Sequence, residues 1–167
     1  DQNLTDSYWL ALERHLEAWL KNIIIPQGLS FDTLYFGGGT PGLFSKEYQG
    51  FIDKVRPYLR NNSEVTIETN PNLVTPQKLT AWQSSGINRI SIGIQSFSKP
   101  GLRFLTRDHQ ETDLKEAIGL AKSYFKNINL DLIYGWEGQN RRLWSDDLQE
   151  LMCLRPQHVS LYSLTYA

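Results

Sequence analysis

Five short apolar runs alternate with helix-length segments along this chain of 167 residues. Each run has four to seven residues, and a segment that can form a helix separates it from the next run. Strands that alternate with helices build β/α units, in which helices cover a parallel sheet. The sequence therefore predicts a single α/β domain over residues 1–167. The predicted strands are residues 33–36, 65–68, 90–94, 129–133 and 158–164.

The first predicted element of the chain is a helix rather than a strand. Apolar residues recur at helical spacing over residues 8–25, and Pro26 and Gly28 end the run. In a β/α fold each helix normally follows the strand from which it crosses. We therefore predict that the first strand of the fold is missing from this chain, which leaves residues 33–36 as an open sheet edge. The other predicted helices are residues 46–58, 76–84, 113–125 and 143–154, with a short turn near 99–105.

Three consecutive glycines, at positions 37–39, follow the first predicted strand and precede Thr40 and Pro41. Glycine has no side chain to pack in a strand, so the run marks the end of the strand. The same glycines allow a ligand to lie against backbone N–H groups, and Thr40 adds a hydroxyl. This turn is therefore a candidate wall of a ligand site.

Polar side chains also stand at the ends of later predicted strands. Glu68 and Gln95 come directly after apolar runs, and Asp131 lies between two leucines. Because ligands of parallel β/α sheets bind at the carboxyl ends of the strands, these side chains are candidates for one site with the glycine turn. A structural alternative exists for Glu68 and Gln95, since nearby loop N–H groups can satisfy a buried polar group. Together the three suit a ligand with hydroxyl groups and an ammonium, and residues 163–165 are further candidates.

Arg107 lies in the connection that follows the strand ending at Gln95. Its guanidinium can hold a carboxylate through two parallel hydrogen bonds. The alternative is an ion pair with Asp108 or Glu111. His109 could serve as a general base or a ligand, although a single loop histidine is more often neither.

Composition argues against several classes of partner. The formal net charge is −1 and the basic residues are dispersed, whereas a nucleic-acid partner usually requires a concentrated basic face. No apolar run approaches the roughly 18–20 residues of a membrane span. Cys153 is the single cysteine, which excludes disulfides and cysteine-based metal sites within the chain. A low cysteine count fits a reducing compartment such as the cytoplasm.

The packing of several other side chains can also be predicted. Cys153 has apolar neighbours in the sequence and is predicted to be a packed thiol. Trp136 follows a predicted strand end, where it could line a pocket. The tryptophans predicted to lie in the core, on helical stripes, are Trp9, Trp19, Trp82 and Trp144.

Five segments of the chain, taken together, resemble a known family. They occur in the order and at the spacing found in oxygen-independent coproporphyrinogen III oxidase-like proteins of the radical S-adenosylmethionine superfamily. The resemblance implies a partial (β/α) barrel of parallel strands that lacks its first strand and its carboxyl-terminal region. The segments are residues 35–41, 67–71, 90–97, 107–109 and 131–135.

Two branches of that family differ at positions that this chain contains. The anaerobic oxidase tends to carry Asp-Pro-Arg after the strand-end Glu and Gln-Asp-Phe after the next strand. Here Asn70 and Ser96 occupy those segments, and both resemble the heme chaperone branch, as does the Arg-x-His of residues 107–109. Members of that branch are thought to bind heme and pass it to acceptor proteins. The open alternatives are the oxidase of heme biosynthesis and a cofactor-free remnant that acts as a binding module.

The resemblance also implies cofactors. The glycine turn matches the segment that holds the methionyl amino end of S-adenosylmethionine, and Arg107 suits the carboxylate of that cofactor. The family's 4Fe-4S cluster is held by a three-cysteine motif that this chain lacks, so the chain alone is expected to be inactive. At Trp136 and Glu137 family members usually have Leu-Pro, which puts the adenine side of the pocket in doubt. The implied cofactor-binding residues are Gly38, Gly39, Thr40, Glu68, Gln95, Arg107 and Asp131.

Overall fold

Five parallel strands in chain order form one sheet in the computed structural model, which describes residues 2–107 and 111–165. Each strand pairs with its neighbours in the sequence, so β1 and β5 are the edges of the described sheet. This arrangement confirms the predicted α/β class and partial barrel, with a β1 edge that is open among the described residues. The strands are β1 (Phe31–Phe36), β2 (Leu59–Thr69), β3 (Arg89–Gln95), β4 (Asn127–Tyr134) and β5 (His158–Ser163).

Helices connect the strands, and several begin at a side chain that caps them. Thr75 accepts a hydrogen bond from the Lys78 N–H, and Asn140 accepts one from the Leu143 N–H. Such caps satisfy N–H groups that have no partner within the helix. The helices are α1 (Gln2–Trp19), α2 (Ile25–Gln27), α3 (Glu47–Val55), α4 (Pro76–Ser85), α5 (Lys99–Phe104), α6 (Glu111–Tyr124) and α7 (Arg141–Leu154), with a π-helical turn at Leu20–Ile24 between α1 and α2.

The two faces of the sheet differ in polarity. Successive side chains of a strand point to opposite faces, so every second residue belongs to the same face. One face carries Ile67, Ile92 and Leu130, which are fully buried in the core together with helix residues. The other face, called the polar face below, is continuous across the strands because the parallel register aligns its members. Its members include Thr66, Glu68, Ser91, Asn129, Asp131 and Ser160.

Two packing predictions are wrong. Trp19 is 49% exposed, and its indole N–H donates to Nε2 of His15. The apolar stripe of α1 is longer than the surface on which it packs, so among the α1 side chains that the structure describes only Trp9, Leu12 and Leu16 contact the core. Cys153 is exposed, since its buried neighbour Leu151 lies two positions earlier on α7 and points in a different direction from the helix axis.

The core predictions for the other three tryptophans are confirmed. Trp9 and Trp82 are buried, and Trp144 packs against the core. Among the described residues, no helix combines the length and the apolar character that a membrane span requires.

Candidate functional site

The carboxyl ends of the strands surround a pocket of about 280 Å³. Six of the seven predicted site residues line it, and Gly38 instead borders an adjoining groove next to α1. The polar face of the sheet supplies the floor, and the loops after β1 and β3 supply the sides. The lining residues are Gly39, Thr40, Pro41, Glu68, Thr69, Asn70, Gly93, Gln95, Arg107, Asp131, Ile133 and Tyr162.

The glycine turn contributes backbone rather than side chains to the site. Gly38 and Gly39 have φ angles of 80° and 34°, in the left-handed region that glycine adopts without steric cost. The N–H of Gly38 donates to Oε2 of Glu68 at 3.2 Å. A loop N–H therefore does satisfy part of Glu68, as the structural alternative for this residue predicts.

Glu68 has a second donor, which the sequence analysis did not identify. The Tyr35 phenol donates to Oε1 of Glu68 at 2.6 Å. Burial, followed by this hydrogen bond and the nearby carboxylate charge, raises the pKa of Tyr35 well above its ordinary value. The phenol is a hydrogen-bond donor at neutral pH, as it is at the ordinary tyrosine pKa of about 10. Alternation along β1 could have indicated this contact, since Tyr35 pairs in register with Thr66 and shares the polar face with Glu68.

Gln95 ends β3 in an unusual backbone conformation. Its φ is 75°, which is uncommon for a residue with a side chain. The pairing of β3 with β4 shifts in register between Gly93 and Gln95. The amide of Gln95 folds back over Gly93, where an added Cβ would lie 2.7 Å from its Nε2. A glycine at position 93 is thus what leaves space for this amide in the pocket.

Asp131 is half-buried on the polar face of β4. Its carboxylate accepts hydrogen bonds from the Ser91 hydroxyl at 3.1 Å and from the Asn129 amide at 2.6 Å. Burial raises the pKa of Asp131, and hydrogen bonds to neighbouring polar side chains oppose this shift only in part. Asp131 is therefore held in a fixed orientation by its neighbours.

Arg107 supplies the cationic side chain of the pocket. Its Nε is buried and has no hydrogen-bond partner in the described part of the chain. Glu111, one of its predicted partners, pairs with Lys115 at 2.9 Å. Asp108 and His109 lie outside the described residues. A buried guanidinium N–H without a partner is costly, and Arg107 is one of the lining residues, so its guanidinium is the group of the pocket that suits an anionic ligand.

Two predictions about the edges of the pocket need correction. Trp136 is 4% exposed and stacks on the ring of Phe104, with centroids 5.7 Å apart, so it does not line the pocket. On β5 the lining residue is Tyr162 rather than residues 163–165. Alternation could have indicated Tyr162, because it pairs in register with Ile133, which is two residues from Asp131.

The site combines groups that suit a zwitterionic ligand with hydroxyl groups. Arg107 can bind a carboxylate, while Glu68 and Asp131 can accept hydrogen bonds from ammonium or hydroxyl groups. The donor set does not suit a metal centre, since the described residues contain no cluster of three or more histidine, cysteine, aspartate or glutamate side chains placed to hold a metal ion. Cys153 lies on α7, exposed and outside the pocket lining.

Comparisons with known proteins agree with this fold. Residues 6–151 match the model of the Radical SAM superfamily. The sequence is 40% identical over 137 residues to the heme chaperone HemW of Haemophilus influenzae, covering 80% of this chain and 36% of that protein. It is 38% identical over 157 residues to HemW of Escherichia coli, covering 91% of this chain and 42% of that protein.

A solved structure is also similar. Coproporphyrinogen III oxidase (HemN) from Escherichia coli matches with a TM-score of 0.75 and 25% identity, covering 95% of this chain and 38% of that chain. This chain spans about two fifths of the length of the curated relatives that it matches.

Proposed function

Since the chain belongs to the radical SAM superfamily, we propose that its strand-end pocket binds S-adenosylmethionine and that the protein acts as a heme chaperone. The superfamily uses this cofactor together with a 4Fe-4S cluster. The pocket carries the first part of the proposal, because it joins the buried, unpartnered Nε of Arg107 to two carboxylates and an exposed glycine turn. Residues 1–167 then form part of a radical SAM core domain.

Each group in the pocket has a role that its chemistry supports. Arg107 would bind the carboxylate of the methionyl end, and the turn at Gly38, Gly39 and Thr40 would present backbone groups to its amino end. Glu68 and Asp131 would accept hydrogen bonds from the ammonium or the ribose hydroxyls, and Gln95 adds an amide that can donate or accept. When bound and reduced by one electron, S-adenosylmethionine supplies cleavage of a carbon–sulfur bond. The residues of this chain orient the cofactor and exclude water from it.

The cluster does not fit the residues of this chain. A 4Fe-4S cluster is held by cysteine thiolates, and the single cysteine is exposed on α7 away from the pocket. We therefore expect this chain to bind the cofactor but not to cleave it. Anaerobic reconstitution with iron and sulfide checks this, since a stoichiometric cluster on the chain would contradict it.

The choice of heme chaperone over oxidase rests on sequence. Identity is 38–40% to the two HemW proteins and 25% to the coproporphyrinogen III oxidase structure. Heme and a heme-accepting protein are the partners of this proposal, and nucleic acid is not. The low cysteine count supports a cytoplasmic location.

The likeness of the fold to the oxidase keeps coproporphyrinogen oxidation as the second candidate. Anaerobic assays on the whole protein separate the two. Heme transfer to an acceptor without turnover of coproporphyrinogen supports the chaperone, and decarboxylation of coproporphyrinogen supports the oxidase.

Calorimetry with S-adenosylmethionine tests the pocket itself. We expect the chain to bind the cofactor and Arg107→Ala to weaken binding at least tenfold, since a hydrogen-bonded charge would be lost. Arg103→Ala, which removes an exposed arginine from α5, is the matched control. No binding by the folded chain would favour the third possibility, a remnant that has lost the cofactor.

A further inference from the structure

A buried carboxylate outside the pocket anchors the loop that follows β3. Asp147, on α7, is 1% exposed. Its oxygens accept hydrogen bonds from the Ser96 hydroxyl at 2.9 Å and from the Phe97 N–H at 2.7 Å. A carboxylate in such a place is costly unless it is well hydrogen-bonded, so its contacts and the loop conformation stabilise each other.

The anchored loop begins directly after Gln95. A positive φ at a residue with a side chain costs free energy and persists only where the surroundings fix the backbone. Asp147 fixes Ser96 and Phe97, the two residues that follow Gln95. The Ser96 hydroxyl also accepts the Ser98 N–H at 3.1 Å, which closes the turn.

Gly101, in α5, leaves the space that the Ser96 side chain occupies. An added Cβ at Gly101 would lie 2.4 Å from the hydroxyl oxygen of Ser96. The Ser96 side chain is therefore enclosed between α5 and Asp147.

We propose that Asp147 is a positioning residue for the strand-end pocket. Through Ser96 and Phe97 it holds Gln95 in the left-handed conformation that folds its amide over Gly93 into the pocket. Asp147 itself does not line the pocket and reaches it only through this loop. The role in cofactor binding rests on the proposed function, whereas the anchoring of the loop does not.

The test is a double-mutant cycle with two measurements. Calorimetry gives the affinity for S-adenosylmethionine, and NMR gives the hydrogen-exchange rate of the Phe97 amide. We expect Asp147→Ala to weaken binding about tenfold and Gln95→Ala to have a similar effect, since each removes the hydrogen bond of the Gln95 amide to the cofactor. The double variant should bind no more weakly than Gln95→Ala, because both changes remove the same contact.

Hydrogen exchange and the control variants distinguish a positioning role from a general loss of structure. Phe97 exchange should accelerate at least tenfold in Asp147→Ala and stay unchanged in Gln95→Ala. Asp146→Ala, an exposed carboxylate on the same helix, should change neither measurement. Asp147→Asn keeps an oxygen acceptor for the Phe97 N–H and should bind within about threefold of the wild type.

The outcomes distinguish this proposal from the pocket assignment. Additive losses in the double variant, or wild-type affinity in Asp147→Ala, would overturn the positioning role. If the folded wild type does not bind the cofactor, the pocket assignment fails, and faster Phe97 exchange in Asp147→Ala would still support the anchor. If Asp147→Ala does not fold, Ser96→Ala replaces it in the cycle with the same expected non-additivity.

Discussion

The Tyr35 phenol and the Glu68 carboxylate, on adjacent strands, share a hydrogen bond of 2.6 Å. The N–H of Gly38 holds the other oxygen of the same carboxylate at 3.2 Å. Gly37 makes both contacts possible, since an added Cβ there would lie 2.7 Å from the Tyr35 ring and 3.2 Å from Oε2 of Glu68. The strand-end carboxylate is thus oriented before any ligand arrives.

Removing the phenol should weaken cofactor binding. Tyr35→Phe keeps the ring and deletes one of the two donors that orient Glu68. Hydrogen bonds to charged groups contribute about 1.5–3 kcal/mol, and the exposure of Tyr35 places this one at the low end. We expect about a tenfold loss of affinity for S-adenosylmethionine by calorimetry. Tyr8→Phe, an exposed tyrosine on α1, is the control, and equal affinity in Tyr35→Phe would contradict the orienting role.

Two glycines should respond in opposite directions to alanine. An added Cβ at Gly42 would lie 2.1 Å from Oγ1 of Thr69 and 3.1 Å from its Cα, so the backbone must shift. We expect Gly42→Ala to lower the free energy of unfolding by about 1–3 kcal/mol. Gly50 lies in α3 with open space around it, and Gly50→Ala should raise that free energy by about 0.5–1 kcal/mol. Urea unfolding measures both, and a loss of stability in Gly50→Ala or none in Gly42→Ala would contradict the packing.

Sequence reasoning predicted the core strands and the location of the site for physical reasons. Buried parallel strands are apolar runs, and their carboxyl ends meet at one edge of the sheet. Glu68, Gln95 and Asp131 could therefore be grouped before their positions were known. The first part of β2 was missed, because residues 59–64 are mostly polar and pair with β1 across a register shift. The predicted turn at 99–105 is the short helix α5.

Contacts between side chains were less predictable than strands. Tyr35 shares a strand with core residues, and only the direction of its side chain places it beside Glu68. Asp147 is one of two adjacent carboxylates in a polar helix segment, and nothing local indicates that it contacts Ser96, 51 positions away. Trp136 was assigned to the pocket from its place after β4. Its stacking on Phe104 depends on where the end of α5 lies relative to the loop after β4.

The free energy of unfolding should depend on pH through the titration of Asp131. Its pKa is raised in the folded state, chiefly by burial. Its contribution to stability is therefore fully present below the unfolded pKa of about 3.9 and is lost as the pH rises through the folded value. Asp131→Asn removes this titration, so the wild type should gain stability relative to the variant as the pH falls from 7 towards about 4.

Urea unfolding of both proteins across this pH range measures the difference. Asp147, whose pKa is also raised by burial, is present in both proteins and cancels. A difference that does not change with pH, or one that changes in the opposite direction, would contradict the assignment.

Exchanging the partners of the Ser96–Asp147 contact should restore part of the stability that the two single changes remove. Ser96 is fully buried, so Ser96→Asp places a second carboxylate against Asp147 and should cost about 3–5 kcal/mol. Asp147→Ser withdraws the acceptor of the Phe97 N–H and should cost about 1–3 kcal/mol. In the double variant the new hydroxyl at position 147 can donate to the new carboxylate at 96. Urea unfolding should then show the double variant to lose about 2 kcal/mol less stability than the sum of the two single losses. Additive losses would show that the two side chains do not depend on each other.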